Sequence, residues 1–135
     1  MALTTVISRN ELERVALAAY NGKTLKVMLC FLGDNSLSET STVAQWQAKE
    51  LPPDNGYVRF SQALSAGQYN VANSRYEFPT VNAGFAATGG GFSWNKVVLY
   101  IDGASNVHSV LTESPNIVLQ AGQTQTYRLT INTDD

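Results

Sequence analysis

Few residues in this chain have the types and spacing that chemistry needs. There is one histidine, His108, and one cysteine, Cys30. A nucleophile triad, a histidine-based zinc site or an imidazole proton relay would have to use His108. Its neighbours Val107, Ser109 and Val110 make it a strand position, where a structural or surface role is the ordinary one. Serines are plentiful, but no G-x-S-x-G elbow presents one. Cys30 lies in an apolar stretch, has no second cysteine to pair with, and shows no sign of a thiolate. The two residues together do not make a zinc cluster. The sequence therefore predicts no catalytic residue, no metal site and no cofactor.

Other motifs weaken on inspection. Gly22-Lys23-Thr24 resembles the end of a P-loop, but Leu17 stands where the first glycine belongs. A helix would also precede the motif and a strand follow it, the reverse of the P-loop order. Gly89-Gly90-Gly91 could cradle an anion. It leads into a strand, however, so a tight turn is the expected use. Glu50 and Asp54 flank Pro52-Pro53 and could face each other as a glycosidase pair would. Trp46, Tyr57 and Trp94 could form a sugar-stacking platform, against the commoner use of such aromatics as core.

The 135 residues predict one domain, 1–135. Charged residues make up only 15% of the chain, against about 25% in typical domains. Ser, Thr, Asn and Gln fill the difference, which suits a surface that packs against neighbours. With a net charge of −2 and no basic cluster, the electrostatic term for nucleic acid is missing. No apolar run approaches the roughly 18 residues of a membrane helix. The start, MALTTVISRN, lacks the pattern of a signal peptide, so synthesis in a cytoplasm is expected.

Phe92 to Ile101 is the longest run that reads only as a strand. Alternation places Val97, Leu99 and Ile101 on one face and Phe92, Trp94, Val98 and Tyr100 on the other. Both faces are apolar, as in a central strand covered on both sides. Ser8 and Glu11 fit a capping box. Leu12, Val15, Ala16, Ala19 and Tyr20 form an amphipathic stripe, and Asn21-Gly22 is a stop signal. This predicts a helix over 8–21, from about Arg9 to Tyr20, behind an arm over 1–7.

Thr24 to Leu32 is a predicted strand with Leu25, Val27, Leu29 and Phe31 alternating. Thr42 to Lys49 is a candidate short helix. Tyr57 to Phe60 opens another strand. Gln68–Val71 and Arg75–Phe78 are expected to pair, followed by strands at 81–87, 107–113, 116–120 and 123–132. In the last, Tyr127, Leu129 and Ile131 point inward. The expected fold is mainly β: an antiparallel β-sandwich, jelly-roll-like, with one N-terminal α-helix.

A resemblance adds to this reading. Trp46 and Ala48-Lys49-Glu50-Leu51 are followed by Asn55-Gly56-Tyr57-Val58-Arg59, Gly91-Phe92-Ser93 and Ala121-Gly122-Gln123-Thr124. From about Lys23 to Ile131 the chain resembles small β-rich virion structural proteins of tailed bacteriophages, including those of cyanobacteria. The N-G-Y-x-R and A-G-Q-T elements carry it most, and they are fold markers more than site markers. The resemblance implies a building block of the virion, above all a capsid decoration or cement protein. Its partners would be the major capsid protein or neighbouring virion subunits, and its own copies in a homo-oligomer, a trimer first. A tail or neck component is the alternative, and a carbohydrate-binding module the second. Leu3, Val6 and Ile7, ahead of the helix, are candidate partner contacts; the alternative is that Val6 or Ile7 staples the start of its own helix. Trp46 is the fourth candidate contact.

Overall fold

The computed structural model of the protein describes residues 17–131 in full and the backbone of Ile7–Ser8 and Thr133–Asp134. In chain order the strands are β1 (Ile7–Ser8), β2 (Thr24–Cys30), β3 (Phe60–Ala63), β4 (Gln68–Asn70) and β5 (Arg75–Glu77). They continue with β6 (Val81–Ala86), β7 (Phe92–Ile101), β8 (Ser109–Leu119), β9 (Thr124–Leu129) and β10 (Thr133–Asp134). One short helix, α1, spans Val43–Gln47. The protein is mainly β, and its sheets are antiparallel apart from the parallel β1–β10 pair.

β7 is central, with the bounds its sequence predicts. It lies between β2 and β8 in a four-stranded sheet ordered β3-β2-β7-β8. Leu25, Val27 and Leu29 of β2 join Val97, Leu99 and Ile101 of β7 on one face. There they share a core with Val81, Ala83 and Phe85 of β6 and Tyr127 and Leu129 of β9. β6 and β9 pair with each other, and buried residues alternate with exposed ones along β6. The opposite face carries Met28, Cys30, Val98 and Tyr100. Leu32, Val43, Trp46 and Val107 cover it. Each strand of the sheet's centre is thus dry on both faces, which is why both periods of β7 are apolar.

One expected assignment fails inside β7. Trp94 and Phe92 lie on the face of Val97 and Leu99, not on that of Val98 and Tyr100. The β7–β8 register shifts between Trp94 and Lys96, where Asn95 of β7 faces the four unpaired residues 113–116 of β8. Across this break the alternation of β7 flips, so that Trp94 and Val97, three residues apart, share a face. The Asn95 side chain is used by the loop after β2: Oδ1 accepts from Leu32 N at 2.9 Å, and Nδ2 donates to Leu32 O at 2.5 Å. β2 therefore ends at Cys30, and Leu32 is buried while Phe31, which alternation groups with Leu25, Val27 and Leu29, is 43% exposed.

Other boundaries moved for local reasons. The strands expected at 107–113 and 116–120 are one strand, β8, interrupted where residues 113–116 find no partner on β7. His108 precedes that strand, and its backbone N–H donates to Leu99 O at 2.8 Å. Strands β8 and β9 follow each other across Ala121-Gly122 but pair with different partners, β7 and β6. The β4–β5 hairpin forms as expected, with Asn70 opposite Arg75. Helix α1 is fixed by a capping box: Thr42 Oγ1 accepts from Gln45 N at 3.2 Å and Gln45 Oε1 accepts from Thr42 N at 2.9 Å.

Of the helix expected over 8–21, residues 9–16 lie outside the described residues. Leu17 and Ala18 are helical, and the chain turns from Ala19 to Gly22. Ser8, expected as the helix cap, sits in β1 opposite Asp134. No helix among the described residues is longer than the five residues of α1. None is long and apolar enough to cross a membrane.

Candidate functional site

The polar groups that sequence reading singles out converge on the segment from Glu50 to Arg59. β3 pairs with β2 only as far as Val27–Phe60. Beyond that point Leu29 needs other partners on the β3 side. Leu51 N donates to Leu29 O at 3.0 Å, and Leu29 N donates to the Tyr57 hydroxyl at 3.1 Å. Tyr57 thus completes the ladder with its side chain instead of opening the strand with its backbone, and β3 starts at Phe60.

The Tyr57 hydroxyl in turn donates to Glu50 Oε2 at 2.5 Å. Arg59 Nε donates to the same oxygen at 3.0 Å, and Arg59 Nη2 to Oε1. The fork-to-fork pair is the strong geometry for guanidinium and carboxylate. The Arg59 guanidinium also lies 5.9 Å from the centroid of the Tyr100 ring. Burial, then the bond to Glu50, pushes the Tyr57 hydroxyl well above its usual range. The bond to Glu50 holds Arg59 above its usual value as well. Cys30, bridged to Glu50 through the backbone, is pushed up to about 12 by burial first and by Glu50 second. A thiol in that state is not a nucleophile near neutrality.

Glu50 is therefore committed to Arg59 and Tyr57, while Asp54 is exposed in the turn. The two carboxylates do not make a general acid–base pair. The glycine loop is likewise occupied. Asn55, with φ 58°, accepts from Gly90 N at 3.0 Å and donates to Gly91 O at 2.7 Å. An amide side chain fills the place an anion would take. Gly56, with φ 92°, passes so close that a Cβ would lie 2.7 Å from Thr88 Oγ1. Asn55, Gly56, Tyr57 and Arg59 of the N-G-Y-x-R element each hold the fold together. Gln123 of the A-G-Q-T element does the same, its Oε1 accepting from Gln120 N at 2.8 Å.

The three aromatics of the supposed sugar platform are all core. Trp46, Trp94 and Tyr57 are 0%, 0% and 3% exposed. Trp46 donates its indole N–H to Ser38 O at 2.9 Å, so it is not a surface contact. Trp94 donates to the Tyr127 hydroxyl at 3.0 Å, and Tyr127 donates to Glu113 Oε2 at 2.6 Å. The break in β8 is what turns Glu113 inward, where it is 4% exposed. Burial and Glu113 raise the Tyr127 hydroxyl.

Beside this segment the surface carries apolar side chains. Phe31, Leu51, Pro52 and Phe92 share a cleft of about 360 Å³. Leu51 also borders a second cleft, of about 410 Å³, with Pro53 and Val58, the last 72% exposed. Alternation groups Phe31 with Leu25, Val27 and Leu29, all buried, so sequence reading does not show this surface. The signal was Asn95, a polar residue interrupting an apolar strand. Of the candidate contacts, Leu3 and Val6 lie outside the described residues. Ile7 is placed by its backbone alone, opposite Thr133 of the same chain. Among the described residues no group of three His, Cys, Asp or Glu could hold a metal ion. Comparison of the chain with protein-family profiles, characterised proteins and solved structures finds no match.

Proposed function

We propose that the protein is a non-enzymatic virion structural protein of a tailed phage. Within the particle it is a capsid decoration or cement protein that binds the shell and stabilises contacts between capsomers. The layering of β6–β9 on the four-stranded sheet is, in this reading, a jelly-roll-like β-sandwich. One observation carries the proposal beyond the resemblance. Glu50, Tyr57, Arg59 and Asn55 are spent on internal bonds, while Phe31 and Val58 stand exposed beside the same turn. Polar chemistry goes into holding a rigid turn, and the turn presents apolar contacts. That division suits a packing unit better than an enzyme.

The partners are the major capsid protein and neighbouring copies, with a trimer as the expected homo-oligomer. The test replaces Phe31 and Val58 by serine together. Sedimentation with purified capsids and light scattering read the result. Loss of capsid binding or of the oligomer, with cooperative melting kept, supports the proposal. Unchanged mass and unchanged binding refute this surface.

A further inference from the structure

We propose that the pocket floored by Lys96 is a binding site for a single carboxylate group. The inference does not depend on the virion reading. Lys96 continues the row of Val98 and Tyr100 on β7 and is only 7% exposed. Its stem lies where the second core ends, between Cys30 of β2 and Thr112 of β8. Its ammonium donates to Thr112 Oγ1 at 2.8 Å. An ammonium has three donors and no acceptor. Among the described residues no carboxylate lies within ion-pair distance of it. A cation this far buried is costly without a counter-charge. The structure leaves room for one: a pocket of about 480 Å³ opens over Lys96.

The walls of that pocket donate. Thr112 Oγ1 accepts from Lys96, so its own O–H is left for a ligand. Ser38 Oγ and Thr40 Oγ1 share one hydrogen bond at 2.9 Å, and whichever donates, the other keeps its hydrogen. These hydroxyls are held in place. Ser38 O accepts the Trp46 indole at 2.9 Å, and Ser38 N donates to Ser41 Oγ at 3.0 Å. Preorganised donors around one cation select an anion.

Three further lining residues narrow the class. Glu39 borders the pocket. Glu39 repels any anion in proportion to its charge, so with a single cation facing it the pocket disfavours a dianion more than a monoanion. Leu37 and Val110 supply apolar wall for the carbon that bears the carboxylate. The group fits either a free small carboxylate or an acidic side chain on a polypeptide.

The test titrates the isotope-labelled full chain with sodium acetate at constant ionic strength, following the Lys96 and Thr112 amides by NMR. Saturable shifts with a dissociation constant on the order of 10 mM are expected. Lys96→Met should weaken binding at least about tenfold and Thr112→Val about threefold. The second variant keeps side-chain shape and decides the matter if the first does not fold. A peptide Gly-Ser-Glu-Ser-Gly with both termini blocked, so that Glu is its one carboxylate, binding about tenfold tighter than acetate assigns the group to a polypeptide, and equal affinity assigns it to a free carboxylate. No saturation by about 200 mM acetate overturns the site. So does wild-type affinity in the folded variants, or phosphate binding as tightly as acetate.

Discussion

Tyr57→Phe removes one oxygen and should cost more than a surface change of that size. The hydroxyl stands in for the strand partner that β2 loses when β3 departs. It accepts from Leu29 N at 3.1 Å and donates to Glu50 Oε2 at 2.5 Å. Leu29 is 0% exposed, so its N–H has no water to turn to. An orphaned buried N–H costs about 1–3 kcal/mol, and a bond to a charged group contributes about 1.5–3 kcal/mol. Glu50 keeps both Arg59 bonds, which trims the second contribution. We expect a loss of about 3 kcal/mol. For a domain of this length that is a melting shift of about 10 °C. Urea unfolding gives the free energy, and amide exchange gives the place. Exchange at Leu29 should accelerate while the Val98 amide keeps its protection. A melting shift below about 2 °C with unchanged Leu29 protection would refute the substitution of side chain for strand.

Three other changes have defined outcomes. Leu99→Ala, at a site 0% exposed on the central strand, should cost about 2–5 kcal/mol in denaturant unfolding, and a value near zero would mean the strand is misplaced. Gly91→Ala puts a Cβ onto the Leu119 carbonyl at a φ of 83°, so it should lower stability by at least about 2 kcal/mol, where Gly103→Ala, with open space around it, should cost less. Cys30, raised from 9.0 to about 12, gives stability a defined alkaline limb. Its contribution is intact below about pH 9 and is lost at about 1.4 kcal/mol per pH unit up to about pH 10, where only the unfolded thiol ionises; above that the unfolded Tyr57 and Tyr127 hydroxyls ionise too and steepen the loss. Urea unfolding from pH 7 to 11 measures the slope. The native thiol should also resist a thiol reagent at pH 8 until denaturant is added, and a flat stability profile to pH 11 would contradict the burial.

What could be read from sequence, and what could not, divides on locality. The apolar run of β7 and the alternation Tyr127, Leu129, Ile131 show their burial directly, because each residue's face follows from its neighbour's. The four exposures observed at Leu99, Tyr127, Leu129 and Ile131 are all 2% or less. Asn95 breaks that logic. Trp94 and Val97 share a face across the β7–β8 break, and only the partner strand fixes where such a break falls. Tyr57 failed for a related reason: its β-forming character was right, but its hydroxyl rather than its backbone met β2. The T-x-x-Q box at Thr42 and Gln45 was a legible signal for α1. The Lys96 pocket was not, since it is assembled from β7, β8 and the loop after Cys30.

The central claim is that this chain is a structural part of a phage shell. Immunogold electron microscopy of purified particles, with antibody raised against the chain, tests it most directly. The account predicts label distributed over the capsid surface at many sites per particle. Label confined to the tail or neck would contradict the decoration role, and particles that carry no label while the protein is found free in the lysate would contradict the virion assignment itself.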